Sequence, residues 1–281
     1  MTDAAPSTPE GADGWRALRV APGRSLIALD FDGTLSPIVD DPAAARPAPG
    51  VAAMLARLGE RVGTVAIITG RPALTAVDLL DAADLRNLIV LGHYGLEHWT
   101  TKTGLVRRPD INADGVAAAR FELPGVLAGL AAPTGTAVED KGESVAVHVR
   151  QAADPSAALA LLRQPLSDLA HRHGLRLEPG RLVLELRPAG IDKGTALERL
   201  AGEVEGVAVL YAGDDLGDLA AFDAIDRLRA AGIAGLTICV GASIGADTVP
   251  ALAARAVLVV ESPAALVELL NHLFDEPRVG L

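Results

Sequence analysis

One stretch limits what this chain can fold into more than any other. In Ser25-Leu-Ile-Ala-Leu-Asp30-Phe-Asp32-Gly-Thr34-Leu35 an apolar run ends in two aspartates one residue apart, followed by glycine and threonine. The run and the break at Gly33 predict a buried strand that stops where the acids begin. Such a strand holds Asp30 at its carboxyl end, and the loop turns Asp32 back toward the same space. Two carboxylates so placed suit phosphoryl transfer through an aspartyl-phosphate, one attacking and the other giving a proton to the leaving oxygen. An Asx-turn carrying two solvated acids satisfies the same residues, so the rest of the chain has to decide.

The 281 residues suffice for one large domain or two ordinary ones, and half of them are hydrophobic, mostly Ala, Val and Leu. A net charge of -11 argues against a broadly basic nucleic-acid surface. An anionic substrate would then need local lysine, arginine or a metal. Cys239, the single cysteine, excludes an internal disulfide and suits a reducing cytosol. Met1 to Gly14 is polar and acidic without an apolar targeting segment, so 1–23 is expected to be a flexible tail. No run reaches the ~18 apolar residues of a membrane span. These features predict a soluble, cytoplasmic monomer without nucleic-acid or membrane partners.

After a proline-rich connection, a helix is expected from about Gly50 to Leu58. A second buried strand, Thr64-Val-Ala-Ile-Ile-Thr69-Gly70-Arg71-Pro, ends in a hydroxyl, a glycine and the start of a helix. Thr69, Gly70 and the helix N–H groups can form a phosphate-oxygen cradle, or Thr69 can simply cap the turn. A third strand, Leu88 to Leu91, runs into Gly92-His93-Tyr94-Gly95-Leu-Glu97, and a hairpin follows around Lys102-Thr103-Gly104. Alternating strands and helices argue for an open α/β sheet with ligands at the carboxyl ends of strands.

From about Asn112 the pattern changes to helix, hairpin, helix, hairpin, which predicts an inserted lid domain with an antiparallel sheet. A helix over Ala113 to Leu130 is expected to break near Pro124. In Ser144-Val-Ala-Val-His-Val-Arg150 the valines face one way, and Ser144, His148 and Arg150 the other. In Leu182-Val-Leu-Glu-Leu-Arg187 the leucines oppose Glu185 and Arg187. The polar face suits sugar hydroxyls and phosphate, although most such faces are merely solvated.

The C-terminal part returns to the first pattern. Lys193 opens a helix, against the helix dipole, which calls for an anion nearby. Val207-Ala-Val-Leu-Tyr-Ala-Gly213-Asp214-Asp215-Leu-Gly-Asp218 is another strand ending in acids. If both acidic strand ends line one crevice, two carboxylates ~4 Å apart repel by about 4 kcal/mol at an effective dielectric near 20. That demands cations, and Mg²⁺ is the natural hard ion for carboxylate and phosphate oxygens.

The four motifs together resemble the haloacid dehalogenase superfamily of phosphatases and, within it, the trehalose-6-phosphate phosphatase family. The resemblance rests on Leu29-Asp-Phe-Asp-Gly-Thr-Leu-Ser-Pro-Ile-Val39, Ile68-Thr-Gly-Arg71, Gly92-His-Tyr-Gly-Leu-Glu97, Glu139-Asp-Lys-Gly-Glu-Ser144, Leu184-Glu-Leu-Arg-Pro188, Asp192-Lys193-Gly194 and Gly213-Asp-Asp215. It implies an α/β fold: a Rossmann-like core of parallel sheet and helices at 24–110 and 190–281, and an α/β cap at 111–189. It also implies a Mg²⁺-dependent phosphoric monoester hydrolase acting on a sugar phosphate. By position, Asp30 is the implied nucleophile and metal ligand, and Asp32 the general acid and base with its backbone carbonyl on the metal. Thr69 and Lys193 hold the phosphoryl group, Gly70 and Arg71 bind the substrate, and Asp214 ligates the metal with Asp215 or Asp218 in support. Lys141, Glu143, Ser144, Arg150 and Glu185 of the cap are the implied sugar-binding residues. Gly217 and Leu219-Ala220-Ala221 replace much of the family's acid-rich run, and His148-Val149-Arg150 stands where His-Tyr-Arg is common, which leaves the sugar less determined. A sucrose-phosphate phosphatase, a phosphohexomutase and a non-catalytic sugar-phosphate sensor stay open as alternatives.

Overall fold

The computed structural model describes residues 8–39, 41, 44–104, 106–107, 113–180, 182–188, 190–241 and 250–275. Its elements run α1 (Pro9–Val20), β1 (Ser25–Leu29), α2 (Val51–Arg61), β2 (Thr64–Ile68), α3 (Ala73–Leu80), β3 (Leu88–Gly92), β4 (Glu97–Thr100), β5 (Val106–Arg107), α4 (Ala113–Gly129), β6 (Ala137–Asp140), β7 (Val145–His148), α5 (Pro155–Arg172), β8 (Leu175–Gly180), β9 (Val183–Pro188), α6 (Lys193–Glu203), β10 (Ala208–Gly213), α7 (Leu219–Ala230), β11 (Ala234–Val240), α8 (Pro250–Arg255), β12 (Leu258–Val260) and α9 (Pro263–Asn271). They fall into two units, Met1–Arg107 with Lys193–Leu281, and Arg108–Asp192.

Among the described residues the first unit holds one sheet of eight strands in the order β12-β11-β10-β1-β2-β3-β4-β5. Pairing is parallel from β12 to β3 and antiparallel at β4 and β5. From β1 the chain winds out to β2 and β3 on one side and later to β10, β11 and β12 on the other. The strand order therefore reverses at β1, and in open α/β sheets the crevice for a ligand lies at that reversal, beyond the carboxyl ends.

Strand alternation separates two cores. Ile27 and Leu29 pack with Leu18, Met54, Leu55, Val77 and Leu266 on one face. Leu26 and Ala28 pack with Leu197, Phe222, Ile225 and Leu252 on the other. A side chain buried in this way contributes about 1.5–3 kcal/mol, so β1, covered on both faces, is a rigid support for whatever follows it.

The flexible tail expected over 1–23 is corrected by α1. Thr8 caps this helix by accepting from the Gly11 N–H at 3.1 Å, and Pro9 starts it. Leu18 is fully buried in the first core. At Gly14 a Cβ would lie 2.3 Å from the Gly235 carbonyl oxygen, so the helix approaches β11 as closely as its backbone allows. The polar composition hid a helix whose contact with the sheet is made by a few residues, Leu18 and Gly14 with Trp15 and Ala17 beside them. Residues 1–7 of that tail, and the unit boundaries expected at 110–111 and 189, lie outside the described residues.

The second unit has an antiparallel sheet in the order β6-β7-β9-β8. Val145, Val147, Val149, Leu184 and Leu186 form its core with Val116, Ala119 and Leu123 of α4 and Leu162, Leu166 and Leu169 of α5, as strand parity predicts. The register pairs Ala146 with Glu185 and Val147 with Leu184, which turns Glu185 to the face opposite the helices. The break expected near Pro124 does not occur, and α4 continues to Gly129 with Pro124 inside it. Burial of the Val116, Ala119 and Leu123 stripe outweighs the roughly 3 kcal/mol that an internal proline costs. No helix among the described residues is long and apolar enough to cross a membrane.

Leu18→Ala is expected to destabilise the protein by about 2–5 kcal/mol, lowering the melting temperature by roughly 2–4 °C for each kcal/mol. An unchanged melt would mean that α1 is not part of the fold.

Candidate active site

Three adjacent strands bring the first residues of the site to one edge. Leu29 pairs with Ala212, and the Asp30 N–H donates to the Ala212 carbonyl at 3.0 Å, so Asp30 leaves β1 beside the end of β10. On its other side β2 ends just before Thr69, whose N–H donates to the Leu91 carbonyl at 3.0 Å. Asp214 follows β10 directly. The Thr34 hydroxyl lies 3.2 Å from Asp214 Oδ1 and 3.5 Å from Asp30 Oδ2, bridging the two carboxylates. Gly33 explains the glycine of the opening motif twice over. Its φ is +85°, and a Cβ there would sit 1.9 Å from Asp214 Oδ2.

Asp218 organises the acids without facing solvent. Its Oδ1 accepts from Lys193 Nζ at 2.7 Å and from the Tyr211 hydroxyl at 2.5 Å. Its Oδ2 accepts from the backbone N–H groups of Asp214 at 2.9 Å and Asp215 at 3.0 Å. A carboxylate has about four acceptor positions, and here four donors engage them. Lys193, the first residue of α6, reaches Asp30 Oδ1 at 2.8 Å as well, so Asp30 and Asp218 are the anions that a lysine at a helix start calls for. Asp215 turns its Oδ1 to the Gly217 N–H at 2.8 Å and caps the short 3-10 turn after β10.

Oxygens of Asp30, Asp214 and Asp218 all lie within 4.8 Å of one another, a cluster able to hold a metal ion. Burial and mutual repulsion push Asp30, Asp214 and Asp215 upward. Burial first, and then Asp218 and Asp215, lift the Asp30 carboxyl to about 8 against the pull of Lys193. Burial, with Asp30 and Asp215, raises Asp214 well above the ordinary range, and burial raises Asp215 too. Burial works against the ammonium of Lys193, but Asp218 and Asp30 outweigh it and hold its pKa well above the usual value. One lysine among four carboxylates leaves an excess of negative charge, and the donor set is all oxygen, so the residues fit a hard divalent cation.

Asp32 stands apart from the cluster. Arg71 Nε and Nη2 donate to its two carboxylate oxygens at 2.8 and 2.7 Å. The backbone around Thr69 differs from the expected cradle. The Arg71 N–H donates to Thr69 Oγ1 at 3.1 Å, and the Ala73 N–H at the start of α3 donates to Glu97 Oε2 at 2.7 Å. These N–H groups are therefore not open to a phosphate. The reason is the antiparallel pairing of β4, which sets Glu97 opposite Gly92, a tertiary contact that local sequence does not express. The Thr69 hydroxyl still has its own hydrogen to donate. Gly70 lies against the hydroxyl end of the Tyr94 side chain.

In the second unit Glu185 is the centre. Ser144 Oγ donates to Glu185 Oε1 at 2.6 Å and Lys141 Nζ to Oε2 at 3.1 Å. Burial would raise the Glu185 carboxyl, but Lys141, Ser144 and Arg187 together hold it below the usual glutamate value. Glu143 lies in the β6–β7 turn, its N–H donating to the Lys141 carbonyl at 3.1 Å. His148 Nε2 is 2.8 Å from Glu139 Oε2, and Arg150 is half-buried two residues after β7.

The structure thus gathers Asp30, Asp214, Asp215, Asp218 and Lys193, sets Thr69 on the neighbouring strand end, and groups Lys141 and Ser144 on Glu185. Tyr211 carries a positioning contact that the motifs did not single out, and Thr34 and Glu97, which stand in the motifs without an assigned contact, carry two more. Tyr211 could have been noticed as the one polar aromatic in an otherwise aliphatic strand. A sequence profile described as Trehalose-phosphatase matches residues 28–249, which contain every one of these residues. The chain belongs to the trehalose-phosphatase family. Over its whole length it is 34% identical to the trehalose-phosphate phosphatase of Mycolicibacterium paratuberculosis, covering 68% of that protein. In fold it is similar to the C-terminal domain of Candida albicans trehalose-6-phosphate phosphatase, with a TM-score of 0.76 at 20% identity over 97% of this chain and 99% of that one. It is also similar to the C-terminal domain of a Candida albicans trehalose synthase regulatory protein, with a TM-score of 0.67 at 15% identity over 97% of this chain and all of the other.

Raised carboxyls hold protons in the folded chain that the unfolded chain has lost. The metal-free protein therefore loses stability as pH rises from about 4, the model-peptide value, through about 8. A divalent cation replaces those protons, so its rise in melting temperature is expected to be larger at pH 8 than at pH 5.5 by about 5 °C or more. The difference is expected to vanish in Asp214→Asn. An equal cation effect at both pH values, or one that survives in Asp214→Asn, would remove the metal from this cluster. Gly33→Ala should lose the cation effect for a separate reason. Its methyl displaces the Asp214 carboxylate and the backbone carries about 1–2 kcal/mol of left-handed strain. Titrating cations against the melting temperature checks this.

Proposed function

We propose that the chain is a Mg²⁺-dependent phosphatase that hydrolyses trehalose 6-phosphate to trehalose and phosphate in the cytoplasm, as a monomer. The observation that carries this reading is Asp30. It is a buried carboxylate at the switch point of the sheet, with Lys193 on one oxygen and Asp214 beside it, in a chain of the trehalose-phosphatase family. Asp30 and Asp214 would hold the ion through their side chains and Asp32 through its backbone carbonyl, while Asp218, already engaged by four donors, holds the loop. Mg²⁺ there would neutralise the carboxylates and polarise the phosphoryl oxygens.

The chain's own groups would do the rest. Asp30 attacks phosphorus in line, the bond from phosphorus to the sugar oxygen breaks, and Asp32 gives that oxygen a proton. Asp32 then takes a proton from water. The water oxygen attacks phosphorus, the acyl-phosphate bond breaks, and Asp30 returns as a carboxylate with free phosphate. Lys193 orients Asp30 throughout and, with the Thr69 hydroxyl, balances the phosphoryl charge. Lys141, Glu143, Ser144, Arg150 and Glu185 offer the donors and acceptors that sugar hydroxyls need. Glu185, kept ionised by Lys141 and Ser144, supplies an acceptor that a neutral acid would lack.

The direct test is phosphate release from a panel of sugar phosphates with and without Mg²⁺. Release from trehalose 6-phosphate that stops with EDTA is the expected result. Preference for another sugar phosphate would keep the chemistry and change the substrate, and ligand binding without release would make the chain a sensor. Asp30→Asn and Asp32→Asn should each lower kcat by about 10³-fold or more, and Asp30→Asn turning over near the normal rate would exclude the covalent route. Glu185→Ala should lower kcat/KM for trehalose 6-phosphate by roughly 10–100-fold relative to 4-nitrophenyl phosphate. An equal loss on both substrates would remove Glu185 from sugar selection.

A further inference from the structure

The sequence places Arg71 among the substrate-binding residues. Its geometry assigns it differently. Both arms of the guanidinium, Nε and Nη2, are directed at the two oxygens of Asp32, at 2.8 and 2.7 Å. This is the fork-to-fork arrangement that fixes a carboxylate in plane as well as in place. The guanidinium carbon also lies 5.2 Å from the centre of the Phe31 ring, which is wholly buried in the first core. The ring is a fixed floor under the fork and adds a cation–π attraction. The Arg71 backbone is pinned on both sides, its N–H on Thr69 Oγ1 and its carbonyl accepting from the His93 N–H at 3.0 Å.

Asp32 needs such a support. Its backbone is set in the turn closed by the Leu35 and Ser36 N–H groups on the Phe31 carbonyl, both at 2.9 Å. Its side chain, however, is 47% exposed, against 13% for Arg71. Asp30, Asp214 and Asp218 are held by Lys193, Thr34, Tyr211 and backbone N–H groups, whereas among the described residues it is Arg71 that bonds the Asp32 carboxylate. Without Arg71 the exposed carboxylate is free to turn among its rotamers, and a proton carrier that wanders from its working position loses much of its effect.

We infer that Arg71 is a positioning residue for Asp32: a two-point clamp, braced on Phe31, that holds the carboxylate where it can exchange a proton with the leaving sugar oxygen and with water. The inference rests on the reading of Asp32 as the proton carrier. It makes the Asp-Phe-Asp and Thr-Gly-Arg motifs one device, with Phe31 as the middle layer between arginine and core. It also leaves Lys193 and Thr69, not Arg71, to meet the phosphoryl group.

The test compares Arg71→Gln, Arg71→Lys, Asp32→Asn and the double variant Arg71→Gln/Asp32→Asn on trehalose 6-phosphate and on 4-nitrophenyl phosphate. The second substrate keeps a readout if the sugar assignment fails. Thermal melts confirm folding, and Arg71→Lys keeps the charge if Arg71→Gln melts early. Arg71→Gln should lower kcat by about 10–100-fold while KM and the inhibition constant of inorganic phosphate stay within about twofold. Arg71→Lys, with a point charge in place of a fork, should restore only part of the rate. In the Asp32→Asn background, followed in single turnover, Arg71→Gln should add less than about a twofold further loss, since the clamp then has nothing to hold. A tenfold rise in KM and in the phosphate inhibition constant at unchanged kcat would make Arg71 a substrate ligand and overturn the inference, as would multiplicative losses in the double variant. If Asp32→Asn alone keeps the wild-type kcat, the proton-carrier reading fails and the clamp falls with it.

Discussion

The site depends on the Asp218 carboxylate and the four donors closed around it. Two are backbone N–H groups from the loop that carries Asp214 and Asp215, one is the Tyr211 hydroxyl from the strand beneath, and one is Lys193 from the start of α6. A single buried anion thus ties a strand, a loop and a helix to one point. Lys193, held there, is presented to Asp30 at the end of the next strand. Remove that anchor and the lysine, the loop acids and the β1 aspartate lose their common reference.

Charge decides what such a site can do. The parallel strands β10 and β1 end side by side, so the residues that follow them are forced together whatever their charge. Here these are carboxylates, Asp30 buried and Asp214 half-buried, with one ammonium among them. Burial and mutual repulsion raise Asp30 and Asp214, whereas Asp218, which burial would also raise, is drawn below its usual value by Lys193, Tyr211 and the loop N–H groups. The sheet supplies the strain, and a cation would relieve it. Asp32 stands outside the crowd, paired with Arg71, apart from the acids suited to a metal.

The same logic operates on a smaller scale in the second unit. Glu185 is buried on the sheet face away from the helices and stays ionised because Lys141 and Ser144 take one oxygen each. An acid kept charged in a dry place is a strong acceptor, and its partners are set by the β6–β7 turn and by the pairing of β7 with β9. Exchanging residues in that turn would alter what the face accepts without disturbing the core of valines and leucines behind it.

By itself the sequence determined the architecture and brought forward the acids and the lysine that the strand ends gather. Apolar runs that end in acids or in Thr-Gly-Arg can only be buried strands with polar ends, because strand period and burial are local properties of the chain. Strand parity likewise set the packed face of the inserted unit, where Val145, Val147, Leu184 and Leu186 all turned inward. What local pattern cannot carry is which polar atom meets which. That Asp218 is wrapped by donors while Asp214 stays accessible, that Glu97 occupies the N–H at the start of α3, that Arg71 grips Asp32 rather than facing outward, and that a polar N-terminus forms a packed helix were all decided by contacts across the sheet. Hydrogen bonds and ion pairs are short-ranged and directional, and their partners here can lie 180 residues apart in the chain, as for Thr34 and Asp214. Only the folded register of β10, β1 and β2 brings them within reach.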